Sequence, residues 1–182
     1  TGSVVAPAQL RAGLIGRAAM HLRACFGLLA LAAAGLTLAG WWLGESLRLQ
    51  PCPLCIFQRL LYLVIAAIAL AGALAPVWRR LWGGILALGA GGGLTTAVYQ
   101  SWLQFFPEAS LECGFGEPTL IERIVDWFGV RWPSMFLATG FCSSKEWVFL
   151  GLSMANWSAL LFLAFLLAGL WLALRSSASA PG

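Results

Sequence analysis

Four stretches of this chain are apolar for about twenty residues each, and that limits what it can fold into. They run from about Cys25 to Leu43, Leu54 to Ala75, Gly83 to Phe106 and Leu150 to Leu174. Roughly 20 helical residues cross about 30 Å of hydrocarbon. There, every backbone N–H and C=O needs an internal partner, so each stretch is expected to be a helix. The period-2 alternation of a membrane β-barrel is absent. Hydrophobic residues make up 60% of the 182 and charged residues only 10%. Soluble domains carry about a quarter charged residues, so too little polar surface remains to cover a soluble fold. The expectation is an all-α membrane protein, a four-transmembrane-helix bundle in one domain over residues 1–182. A short amphipathic surface helix is expected in its second outer loop.

Charge sets the expected orientation. Arg11, Arg17 and Arg23 precede the first span, Arg79 and Arg80 lie between the second and third, and Arg175 follows the fourth. All seven acids (Glu45, Glu108, Glu112, Glu117, Glu122, Asp126, Glu146) fall in the other two loops. Lys and Arg in short loops stay on the cytoplasmic side. Both termini are therefore expected inside, with a cytoplasmic arm over about 1–24 and outer loops over about 44–53 and 107–149. Met20 is a plausible native start, and a signal peptide is the competing reading of the first apolar run. The net charge of +4 is scattered and forms no basic stretch, so a nucleic-acid partner is not expected.

Aromatic residues cluster at the span ends: Trp41, Trp42, Trp78, Trp82, Trp102, Phe105, Phe106, Trp147 and Trp171. That is the pattern of an interfacial belt. "GAGGG" in the third span puts Gly89 and Gly93 four apart, a spacing that lets helices approach closely. In the second outer loop, "PTLIERIVDWFGV" reads as a helix too short to span. Thr119 and Glu122 fit a capping box. Leu120, Ile121, Ile124, Val125 and Phe128 share one face, so the helix is expected to lie flat on the outer membrane surface. Gly114, Gly116 and Pro118 before it, and Pro133 and Gly140 after it, suggest mobile connections.

Of five cysteines, Cys52, Cys55, Cys113 and Cys142 lie on the expected outer side, two per loop. Disulfides persist there. Cys25, at the opposite end of the first span, reads as a small hydrophobe. A zinc ribbon wants two close pairs, and only Cys52 and Cys55 are close. Two inert structural disulfides are the other bland reading. A bridge across two residues closes a tiny loop and stabilises little, so such a pair points to exchange chemistry. Pro51 and Pro53 place both cysteines near a helix N-terminus, where partial positive charge favours thiolate, the attacking form.

Oxidising a dithiol releases two electrons. The sequence shows no dinucleotide fingerprint and no pair of His ligands for haem, and its only His, His21, is on the far side. The acceptor that suits a lipid-embedded chain is itself lipid-soluble, a quinone. Arg59 is four residues after Cys55, on the same helical face one turn deeper. A cation there can hydrogen-bond a quinone oxygen; the plain alternative is a snorkelling side chain.

At this point the sequence resembles the DsbB family, the quinone-linked oxidases of periplasmic disulfide formation. "PCPLCIFQR" at 51–59 carries the resemblance, supported by "LQFFPEASLECGF" and "ATGFCSSKEWVFLGLSMANW". It covers about residues 26–172. The resemblance implies four membrane helices in a bacterial inner membrane, both termini cytoplasmic, with a DsbA-like thioredoxin-fold partner in the periplasm. Ubiquinone or menaquinone would be the cofactor. It implies that Cys113 is attacked by the partner thiol, that Cys142 passes electrons to Cys52, that Cys55 faces the quinone, and that Arg59 is quinone-associated. Some members carry a His near the outer end of span three, where this chain has Tyr99, Gln100 and Ser101. Gln58 stands where an acid is expected beside the arginine. The rival readings are a paralogue serving a dedicated partner and a non-catalytic scaffold with structural disulfides.

Overall fold

The computed structural model describes residues 7–106, 118–145 and 147–174. Its helices are α1 (Pro7–Leu47), α2 (Pro53–Leu74), α3 (Arg79–Phe105), α4 (Leu120–Arg131), α5 (Pro133–Phe136) and α6 (Met154–Leu174). A single 3-10 turn, Pro76–Trp78, joins α2 to α3. Two short antiparallel strands, β1 (Val148–Phe149) and β2 (Leu152–Ser153), precede α6. Among the described residues, four segments are long and apolar enough to cross a membrane: Ala19–Leu47, Pro53–Leu74, Pro76–Phe105 and Met154–Leu174. The expected four-helix membrane architecture holds.

The helix ends follow local chemistry. α1 stops where Arg48 turns left-handed (φ 50°). The Leu49 N–H then reaches the Gly44 carbonyl (2.9 Å) and the Arg48 N–H reaches Glu45 (3.3 Å). That is a Schellman closure with arginine in the position glycine usually takes. The connection between α1 and α2 is thus only 48–52. α2 starts with Pro53 at its first helical position and ends before Pro76. α6 begins at Met154 rather than near Leu150, because the apolar run also covers the hairpin. Leu150 (φ 51°) and Gly151 (φ 79°) form that hairpin's two-residue turn. Two positive φ values match the twist of the paired strands.

Helices in lipid gain little from hydrophobicity and associate through close packing. The tightest seam is α3 against α6. A Cβ on Gly83 would lie 2.8 Å from the Ala173 nitrogen, and one on Gly169 would lie 2.9 Å from the Ala87 nitrogen. Any side chain at either position would push the two backbones apart. Gly93 is similarly filled by the Phe162 ring, whereas Gly89 meets only Ile65 at an ordinary 3.7 Å. Phe162 also stacks on Tyr62 of α2, with ring centroids 4.2 Å apart. Phe26 of α1 lies over Gly72 of α2. These rings form the core with Ile65, Leu86 and Leu172.

α4 carries the full capping box. The Thr119 N–H donates to Glu122 Oε2 (2.7 Å), and the Glu122 N–H donates to Thr119 Oγ1 (3.3 Å). Ile121, Ile124, Val125 and Phe128 pack onto Ile56, Phe57 and Leu60 of α2 and Phe136 of α5. The apolar face expected to meet the membrane is therefore largely spent on the protein. Leu120, assigned to that face, is 75% exposed instead.

Candidate functional site

The site is built at the start of α2. Cys52 is extended (φ −81°, ψ 165°) between Pro51 and Pro53, and caps the helix. Its sulfur accepts the Cys55 N–H (3.4 Å). The next free donor of that turn, the Leu54 N–H, goes to the Cys142 sulfur. Cys52 Sγ lies 3.2 Å from Cys55 Sγ and also hydrogen-bonds Cys142. Cys52, only 3% exposed, thus stands between two other sulfurs. All three are free thiols in this structure.

Main-chain bonds bring Cys142 here from 90 positions away along the chain. The Thr139 and Gly140 N–H groups both donate to the Pro51 carbonyl (2.9 and 3.1 Å). Gly140 presses on the Gln50 carbonyl so closely that no Cβ fits. On the far side of Cys142, Gln104 Nε2 donates to the Ser144 carbonyl (3.1 Å). Ser153 Oγ fixes that amide by donating to Gln104 Oε1 (2.6 Å). Gly140 is therefore an anchor and not the mobile joint its composition suggested. Pro133 likewise opens α5 instead of a loose linker.

The sulfurs are electrostatically unequal. Hydrogen bonding to Cys142 and then to Cys55, with burial adding, pushes the Cys52 thiol far up. The bond from Cys52, aided by the Leu54 N–H, pulls Cys142 below the ordinary thiol value against the opposing effect of burial. Of the two cysteines at the helix start expected to favour thiolate, Cys52 does not, while Cys142 of the other loop does. The helix N-terminus does favour charge, but its first donor points at the sulfur of the other loop.

One turn deeper, Arg59 reaches sideways. Nη1 donates to the Met135 carbonyl (3.2 Å) and Nη2 to the Gly40 carbonyl (2.9 Å). Gly44 leaves room for the fork; a Cβ there would lie 3.1 Å from Nη2. Both carbonyls are neutral, so they orient the charge without cancelling it. Arg59 and Cys55 share the wall of a cavity of about 180 Å³ between α1, α2 and α6. Leu36, Leu43, Met154, Trp157 and Leu161 make its lining mainly apolar. From α3, Gln100 Nε2 donates to Cys55 Sγ (3.0 Å) and Cys52 Sγ (3.4 Å). Gln58 Nε2 donates to Gln100 Oε1 (2.8 Å).

The family model described as "Disulfide bond formation protein DsbB" matches residues 22–172. The chain belongs to the DsbB family. Among proteins named Disulfide bond formation protein B, that of Dechloromonas aromatica (strain RCB) is 55% identical over 142 residues. The match covers 78% of this chain and 86% of that protein. The Azoarcus sp. (strain BH72) protein is 39% identical over 76% of this chain and 84% of its own length. The Nitrosomonas europaea protein is 39% identical over 87% of this chain and 98% of its own length.

Membership in the DsbB family, with four spanning helices, makes the chain a multi-pass membrane oxidoreductase of disulfide formation. Three of the four cysteines singled out from the sequence, Cys52, Cys55 and Cys142, converge. Cys113 lies outside the described residues. Cys25 packs against the helix core, away from them. Sequence reasoning met Gln58 and Gln100 only as departures from a pattern. Two amides 42 positions apart signal nothing until folding joins them.

Proposed function

We propose that this chain oxidises a DsbA-like thioredoxin-fold dithiol protein on the outer face of a bacterial inner membrane. Electrons pass through Cys113–Cys142 and Cys52–Cys55 to a membrane quinone. The observation that carries this reading is the Cys142–Cys52–Cys55 row, ending at a mainly apolar cavity with Arg59 in its wall.

Each exchange conserves its electrons. A partner thiolate attacks Cys113 of a Cys113–Cys142 disulfide, forming a mixed disulfide and releasing Cys142 as thiolate. The partner's second thiol then displaces Cys113 and leaves oxidised. The Cys142 thiolate, held beside Cys52, attacks that sulfur in the Cys52–Cys55 disulfide; the Cys142–Cys52 bond forms and Cys55 departs with the electron pair. Cys113 then displaces Cys52 from Cys142, which restores Cys113–Cys142 and leaves Cys52 and Cys55 reduced. A thiolate attacks best with a pKa near the ambient pH, which suits the lowering at Cys142.

The cavity residues fit a quinone. The apolar walls suit a ring and tail, Arg59 is a fixed cation for a ring oxygen, and Cys55 supplies the sulfur. When bound, a quinone supplies a two-electron, two-proton acceptor. Arg17, Arg23, Arg79 and Arg80 lie at the helix ends opposite the cysteines, which supports cytoplasmic termini and outward sulfurs. Leu120, Trp127 and Val130 are exposed on α4 and give that helix a lipid-facing rim.

The test is quinone reduction by the purified full-length protein, driven by a reduced thioredoxin-fold dithiol protein. Turnover that needs all four cysteines supports the reading. Partner oxidation that proceeds without quinone consumption, or no turnover with any membrane quinone, would sink it.

A further inference from the structure

Gln58 and Gln100 are 4% and 2% exposed, and polar side chains this buried need partners. The Gln58 N–H occupies Gln100 Oε1 at 2.8 Å, which turns the Gln100 NH₂ group toward the sulfurs. That group reaches Cys55 at 3.0 Å and Cys52 at 3.4 Å. A neutral thiol is a weak acceptor, whereas a thiolate takes a charge-assisted bond about twice as strong. An amide with its donors on sulfur is therefore matched to the charged form.

We propose that Gln100 is a catalytic hydrogen-bond donor to the Cys55 sulfur, aimed by Gln58 as a positioning residue. The role rests on the reading above that Cys142 attacks Cys52 and Cys55 leaves. As the Cys52–Cys55 bond breaks, its electron pair stays on Cys55 and no proton need arrive with it. The Gln100 N–H meets that charge directly, at 3.0 Å from the sulfur. Without Gln58, the Gln100 amide can rotate and present its oxygen to the sulfur, which repels the developing charge. Neither amide titrates, so the donor stays in place at any working pH.

The test uses fully reduced, full-length protein in detergent with Cys52→Ala, so that Cys55 stands without its neighbour. Iodoacetamide alkylation of Cys55 and of Cys142 is followed by peptide mass. Losing a charge-assisted bond lowers the thiolate fraction about ten- to a hundredfold. Rising nucleophilicity offsets about half of that on a logarithmic scale, leaving a rate loss of about three- to tenfold at Cys55. Gln100→Leu should show this loss while Cys142 reacts at its former rate. Gln58→Met should cost about two- to fivefold alone and nothing further once Gln100 is Leu, the signature of acting through it.

Unchanged Cys55 alkylation in Gln100→Leu would overturn the proposal. Equal losses at Cys55 and Cys142 would also overturn it, making the pair a structural brace. Alkylation needs neither partner nor quinone. Failure of quinone turnover in the unmodified protein would therefore sink the proposed function while leaving this result to be judged separately.

Discussion

The Gly140 N–H donates to the Pro51 carbonyl across 3.1 Å, joining the two cysteine-bearing loops one residue from Cys52 and two from Cys142. The bond works because Gly140 lies flat on the Gln50 carbonyl. Gly140→Ala forces the loop to lift, and overpacking of this kind costs about 1–3 kcal/mol. Formation of the Cys52–Cys142 disulfide by a mild oxidant, in a Cys55→Ser background, should slow about tenfold. Equal cross-linking with alanine would mean the loop is positioned by Gln104 and not by this contact.

The unequal thiols give a pH signature. In reduced protein, Cys142 should alkylate with a midpoint below the ordinary thiol value and Cys52 with one well above it. Raising the pH through neutrality should therefore turn on Cys142 first. Cys52→Ala removes the hydrogen bond that lowers Cys142, so the Cys142 midpoint should move up. A Cys142 profile indifferent to Cys52→Ala would contradict the sulfur–sulfur bond.

Arg59 should matter to the quinone half-reaction more than to the thiol half-reaction. A hydrogen bond to a charged group is worth about 1.5–3 kcal/mol. Arg59→Met should cut quinone-dependent turnover about ten- to a hundredfold and raise the KM for quinone. Single-turnover oxidation of the partner by pre-oxidised protein should stay near normal. Arg59→Lys should lose less, since the charge remains but the fork that spans the Gly40 and Met135 carbonyls does not. If Arg59→Met leaves quinone kinetics intact, the arginine is only a brace between α1 and α5.

Cys142→Ser mixed with oxidised partner should accumulate a partner–Cys113 mixed disulfide on a non-reducing gel: the free Cys113 thiolate opens the partner's disulfide, releasing one partner thiolate, and no Cys142 thiol remains to displace the partner from Cys113. Cys113→Ala should trap none. Equal adducts from both variants would reverse the assigned order of attack.

What could be read from the sequence was local or periodic. Hydropathy gave four helices because the bilayer imposes one length on each. Thr119 and Glu122 announced the start of α4 because a capping box needs only four consecutive residues. Gly93 was found through small-residue spacing, while Gly83 and Gly169, which form the tighter seam, lie 86 positions apart and give no such signal. The cysteines stood out by type, yet which sulfur favours charge depended first on the Cys52–Cys142 hydrogen bond and then on where the Leu54 N–H points. Gly140 looked like a flexible joint because composition cannot tell freedom from close approach. The Gln58–Gln100 pair was invisible for a similar reason, since its meaning lies in the orientation of two amides.

Pro53 has no N–H, so the first two backbone donors of α2 belong to Leu54 and Cys55, and both end on sulfur. Every exchange that moves Cys52 or Cys142 therefore also uncaps or recaps the helix. If the proposed exchange draws one of these sulfurs away, the first turn of α2 would loosen, making it a mechanical gauge of the redox state. Amide exchange at Leu54 and Cys55 would report electron flow from the backbone, with no probe attached to any thiol.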